Sequence, residues 1–158
     1  MLRCGVMAVM LVGCGTDHGE VTGEVTGRYR VVDDVASRCA VDQPVMMPVA
    51  YVEITPSEPG IGLARCPEAS TCSDVTLLPM ALDDGWSGGV GRAQTYEGGR
   101  ICMLGYTLYE AQFSGDALVL DITSYATVRG AASCTVEEAI AAGTSMDCAT
   151  HERIDAVR

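Results

Sequence analysis

The stretch Arg100-Ile-Cys-Met-Leu-Gly-Tyr-Thr-Leu-Tyr-Glu-Ala-Gln112, followed across Ser114-Gly115-Asp116 by Ala117-Leu-Val-Leu-Asp-Ile-Thr-Ser-Tyr-Ala-Thr-Val-Arg129, decides the fold. Leu118, Leu120 and Ile122 fall on one side of an extended chain, with Asp121 and Thr123 on the other. That is the alternation of a half-buried antiparallel strand. Glycine in Ser114-Gly115-Asp116, and again in Glu97-Gly98-Gly99 just upstream, supplies the backbone freedom that tight hairpins need.

The same pattern extends outward in both directions. Arg28 to Val32 alternates polar with apolar, and Val49 to Thr55 is β-branched and aromatic until Pro56-Ser-Glu-Pro-Gly60 stops it. Ile61 to Arg65 can pair back across that turn. Val75 to Leu82 is a further apolar run closed by Asp83-Asp84-Gly85, and Trp86 to Tyr96 reads as a glycine-broken strand. One helix is predicted over Val136 to Ala142. Thr135-Val136-Glu137-Glu138 has the form of a capping box, and Gly143 is placed to end the last turn. His151 to Val157 is a final strand able to return beside the first. The expected fold is therefore mainly β: an antiparallel up-and-down barrel or compact sandwich of about eight strands, with one short helix near 136–142.

The chain has 158 residues, which suits one domain. Nearly half of them are hydrophobic and few are aromatic, so the core must rest on aliphatic side chains, with tyrosine supplying most of the ring area. The formal charge is −11. So acidic a surface repels phosphate backbones, and no nucleic-acid partner is expected.

Met1-Leu2-Arg3 precedes an apolar run from Cys4 to Val12 that is too short to cross a bilayer, which needs about 20 residues. The run ends in Leu11-Val12-Gly13-Cys14, which resembles the lipobox of bacterial lipoproteins. The resemblance implies removal of residues 1–13 as a signal peptide, lipid on Cys14 and attachment to the cell envelope. Gly15 after the cysteine favours the outer over the inner membrane by the enteric sorting rule. Residues 14–23 then read as a polar tether, and residues 24–158 as one domain. The Gly-Arg-Tyr start, the meander and the cysteine-tied last strand are loosely similar to small lipocalin-like exported lipoproteins. That similarity is one of architecture and implies no particular ligand.

With Cys4 in the leader and Cys14 lipidated, Cys39, Cys66, Cys72, Cys102, Cys134 and Cys148 remain. An even set in an exported domain reads as a disulfide framework. Spacing favours Cys66 with Cys72, Cys134 with Cys148 and Cys39 with Cys102, although spacing alone does not choose among the possible pairings. Cys-x₅-Cys is a poor zinc spacing, and no paired histidines or cofactor motif accompany it, so neither metal nor cofactor is expected.

His151 is the only histidine after the tether, so any Ser-His or Cys-His mechanism must use it. No Gly-x-Ser-x-Gly elbow accompanies it. Asp33-Asp34 and Asp83-Asp84 read as solvated turns. Glu53, Glu110 and Asp121 sit within apolar strands and face either a lumen or the outside. Met46, Met47, Met80 and Met103 are read as core fillers rather than a copper site. Trp86 is either an exposed contact or a plug at one barrel end. The functional expectation is a non-enzymatic, membrane-anchored envelope lipoprotein binding a small ligand or a protein. The alternatives are an exported hydrolase built on His151, or an inhibitor or assembly factor.

Overall fold

A computed structural model of the chain describes residues 24–39, 42–43, 45, 48–130 and 133–158. The leader, Leu11-Val12-Gly13-Cys14, the tether, Met46 and Met47 lie outside the described residues. The strands are β1 (Gly27–Ser37), β2 (Asp42–Gln43), β3 (Tyr51–Pro56), β4 (Ile61–Cys66), β5 (Thr76–Leu78), β6 (Met80–Leu82), β7 (Gly85–Tyr96), β8 (Ile101–Ser114), β9 (Ala117–Gly130) and β10 (Asp147–Val157). They run β5-β4-β3-β1-β10-β9-β8-β7-β6, with the short β2 set beside β1. All pairings are antiparallel. The result is a nearly closed up-and-down barrel rather than a sandwich.

The predicted run Val75 to Leu82 forms one wall broken into β5 and β6 at Pro79, which has no N–H to give the ladder. At Gly88 of β7, an added Cβ would lie 2.5 Å from the Leu77 carbonyl oxygen and 2.9 Å from the Leu78 Cα. Only glycine lets the β5 backbone come that close, and this contact nearly shuts the barrel.

The core fills one end. Tyr29, Val52, Ile54, Ile61, Leu63, Leu78, Trp86, Leu118, Leu120 and Ile154 form one buried cluster where β1, β4, β7 and β9 begin and β3, β8 and β10 finish. Trp86 is therefore a plug and not an exposed contact. Each large aliphatic side chain fully buried here contributes roughly 1.5–3 kcal/mol. Phe113 meets Tyr29 ring to ring at 6.0 Å, and the Tyr29 hydroxyl donates to the Val25 carbonyl at 2.8 Å.

Helix α1 (Val136–Ala142) has the predicted capping box, with the Thr135 hydroxyl accepting from the Glu138 N–H and the Glu138 carboxylate accepting from the Thr135 N–H. Gly143 donates its N–H to the Ala139 carbonyl. The helix packs on the outer face of β7 and β8, where Gly91 leaves room for Val136 and Ile140. Beneath it Ala139 joins Cys102, Leu104 and Met146 in a second, smaller cluster. Among the described residues no helix is long and apolar enough to cross a membrane.

All six domain cysteines form disulfides: Cys66 with Cys72 as expected, but Cys39 with Cys148 and Cys102 with Cys134. The two longer expectations fail because strand neighbours, and not chain spacing, bring thiols together. The β1–β10 ladder ends at Ser37↔His151 and carries Cys39 to Cys148, while the helix docks Cys134 over Cys102. Met80, expected as a core filler, is 57% exposed on the outer face of β6.

Peptide mapping without reduction is expected to recover Cys39 linked to Cys148 and Cys102 linked to Cys134. The bridge Cys39–Cys148 closes a loop with a sequence separation of 109. The double variant Cys39→Ser, Cys148→Ser should lose about 2–5 kcal/mol in chemical denaturation.

Candidate functional site

Strand register sorts the side chains into an inner and an outer face. On the inner face, the filled end carries the row Ile154, Leu120, Ala111 and Trp86. The next row is Glu152, Ile122, Tyr109 and Gly88, followed by Thr150, Ser124, Thr107 and Val90, and then by Ala126, Gly105 and Arg92. Large apolar groups thus give way to polar and small ones along the barrel axis. At this open end Gly91 to Gln94, Met103 to Gly105, Ala126 and Val136 line a cleft of about 520 Å³. That volume suits a small ligand or a few side chains of a larger one.

Between the filled core and the cleft lies a charged layer. Arg65 of β4 follows Ile61 and Leu63 on the inner face, and its guanidinium donates to the Glu152 carboxylate. Asp34 joins them because the β1–β10 register shifts between Val31 and Asp33, which places Asp34 opposite Ile154. The Asp34 carboxylate accepts the Val49 N–H at 3.3 Å, while its other oxygen and Arg65 Nε are buried without a partner among the described residues. Burial raises the pKa of Glu152, and the neighbouring Asp34 carboxylate raises it further, with Arg65 opposing. Above this layer the Thr107 and Ser124 hydroxyls lie 3.3 Å apart.

These placements correct the expectation that Asp33-Asp34 is a solvated turn, since both residues lie within β1. Asp83-Asp84 is the expected turn. Glu53, Glu110 and Asp121 face outward: Glu53 pairs with Arg28 at 2.8 Å, and Glu110 stands opposite Asp121. His151 is also on the outer face, with Nε2 3.1 Å from Asp121 Oδ1. Among the described residues no serine or cysteine side chain bonds to its ring, although the Ser37 hydroxyl approaches its backbone carbonyl at 3.5 Å. Glu53, Cys66 and Cys72 form a close group of metal-type donors, but both sulfurs are committed to their disulfide.

Asp34, Arg65, Glu152 and Arg92 escaped the sequence reading as a set. Counting alternate residues back from Ile154 and forward from Leu63 finds Glu152 and Arg65. Asp34 is hidden by the register shift, and Arg92 by the glycines around it. Comparison with protein-family models, with curated proteins and with solved structures found no match.

The raised pKa of Glu152 has a measurable consequence. The folded chain holds this proton more tightly than the unfolded one, so the contribution of Glu152 to stability falls as pH rises from the ordinary glutamate value through the raised folded value. Thermal melts from pH 4 to 8 are expected to show this fall in the parent protein. The variant Glu152→Gln should flatten it.

Proposed function

We propose that this chain is a lipid-tethered protein of the bacterial envelope that binds its target, rather than transforming it, through the open end of the barrel. One observation carries the binding half of this reading: the inner face passes from a filled apolar core to small and polar side chains around a cleft of about 520 Å³. A site of that kind offers contact area and a few orienting groups, here Arg92, Gln94 and the Thr107 and Ser124 hydroxyls. The hydrolase alternative needs a nucleophile at His151, and Asp121 is what the ring meets.

The tether half rests on Leu11-Val12-Gly13-Cys14, which resembles a lipobox, and is supported by the pairing of all six remaining cysteines as disulfides. Two or more acyl chains on Cys14 hold a protein firmly at a membrane. The outer membrane is the proposed destination, by the identity of Gly15.

Expression in a bacterial host separates the two halves. Cys14→Ser should move the protein from the membrane fraction to the soluble envelope fraction, and intact mass should lose the acyl chains. Unmodified Cys14 in the membrane fraction would sink the tether. For the cleft, Gly105→Leu is the informative change, because a Cβ there makes only ordinary contacts, the nearest at 3.8 Å, and Gly105 lines the cleft that the larger side chain would narrow. It should leave the melting temperature within a few degrees and weaken binding of the apolar dye Nile red by about tenfold. Unchanged dye binding would remove the cleft as the site.

A further inference from the structure

Among the described residues, strand β7 has one side of its backbone unpaired over its second half. Phe113 donates its N–H to the Asp84 carbonyl at 2.9 Å, and the β7–β8 register runs unbroken from Gly85↔Gln112 to Tyr96↔Ile101. The alternation of an antiparallel ladder then turns the even-numbered residues of β7 toward β8, and the N–H and C=O groups of Gly89, Gly91 and Ala93 away from it. On that far side β6 covers only Gly85 to Ser87. Among the described residues no strand pairs with Gly89 to Tyr96 there.

Barrels ordinarily abolish such edges, and sheets that keep them blunt them with lysine, proline or bulges. Gly89-Val-Gly-Arg-Ala-Gln-Thr-Tyr96 has no lysine, proline or bulge, and Arg92 is its single charged residue. Apolar side chains flank the edge on both faces: Val90 inside, 38% exposed, and Val136 and Ile140 of the helix outside, 43% and 53% exposed. The edge also borders the cleft, since Gly91 to Gln94 form part of its lining.

Charge adds a selection. Arg28, Arg65, Arg129, Arg153 and Arg158 each pair with a carboxylate. Like Arg30, Arg38 and Arg100, Arg92 makes no ion pair among the described residues, but of these four it alone lies on this edge, and no acidic residue occurs from Gly85 to Tyr96. With a net charge of −11 the rest of the surface repels an acidic segment, whereas Arg92 attracts one to this edge.

We propose that the free edge of β7 takes up an extended segment of a partner protein as an added strand, with apolar side chains at alternate positions and a carboxylate opposite Arg92. Main-chain hydrogen bonds supply affinity in such strand addition, and the flanking side chains supply selectivity. The proposal rests on the open end being the binding end, and it names the class of partner.

The test uses the folded protein and a fluorescein-labelled eight-residue peptide of alternating valine and threonine with one central glutamate, read by fluorescence anisotropy. Saturable binding is expected, weakened about tenfold when lysine replaces the glutamate, with that order reversed by Arg92→Glu. N-methylation of every second peptide residue should abolish binding in one set of positions and leave it nearly unchanged in the other, because only one edge of the peptide faces β7. Equal loss from both sets would overturn strand addition. Failure of both peptides while Nile red still binds would overturn this proposal and leave the cleft standing; failure of peptide and dye together would overturn both. A dimer in sedimentation that the peptide does not dissociate would assign the edge to a second copy. Flotation of the unlipidated protein with phosphatidylcholine vesicles would assign the apolar flanks to a membrane. Either result would overturn the proposal.

Discussion

A meander of antiparallel strands is a ribbon with two exposed edges until its first and last members find each other, and here they do so along nearly their whole length. β1 and β10 pair from Arg30↔Val157 to Ser37↔His151. Closing that ladder satisfies backbone groups that would otherwise face water or the core unpaired. It also brings together residues more than a hundred positions apart, at the cost of ordering everything between them. The disulfide Cys39–Cys148 stands at the open-end limit of this ladder and reduces that cost by constraining the unfolded chain. The curvature that lets β3, β4, β8 and β9 share one apolar interior follows from the same closure.

Closure also accounts for the uneven interior. The filled end uses few aromatic side chains, so Val52, Ile54, Leu63, Leu118, Leu120 and Ile154 must interdigitate around Tyr29 and Trp86. One row further on, Arg65 and Glu152 pair on the inner face, with Asp34 beside them from its place opposite Ile154. A buried ion pair contributes little net stability once desolvation is subtracted, and a third charged group with an unpartnered oxygen adds to that cost. Retention of such a layer between the core and the cleft fits a barrel whose upper half is shaped for contact more than for packing.

Much of this was legible in the residues. Period-two alternation located the walls, glycine-containing turns located the hairpins on either side of β8, and Thr135 to Glu138 marked the helix start. Whatever depended on which distant strands become neighbours was not legible. Cys134 lies nearer in sequence to Cys148 than to Cys102, yet docking of the helix across β7 and β8 decides its partner. A single register shift in β1 turned Asp34 from an apparent turn residue into a wall of the interior. Proline at position 79 divided one apolar run into two strands. The open edge of β7 leaves no local trace either, because an unpaired backbone is a property of what is missing beside it.

The chain enters β1 at the filled end, where Arg158 donates its backbone N–H to the Asp116 carbonyl at 2.9 Å and Tyr29 packs against Phe113. Anything attached ahead of Gly27 therefore grips the barrel by its base. A pull along β1 loads its ladders to β3 and β10 in shear, many hydrogen bonds at once, with Cys39–Cys148 as a rivet beyond them. Counting walls around the ring, with β5 and β6 as one, β7 lies four places from β1 in either direction. The seam is thus on the wall farthest from the load path, and tension at the base would leave its free edge undisturbed and turned away from the point of attachment.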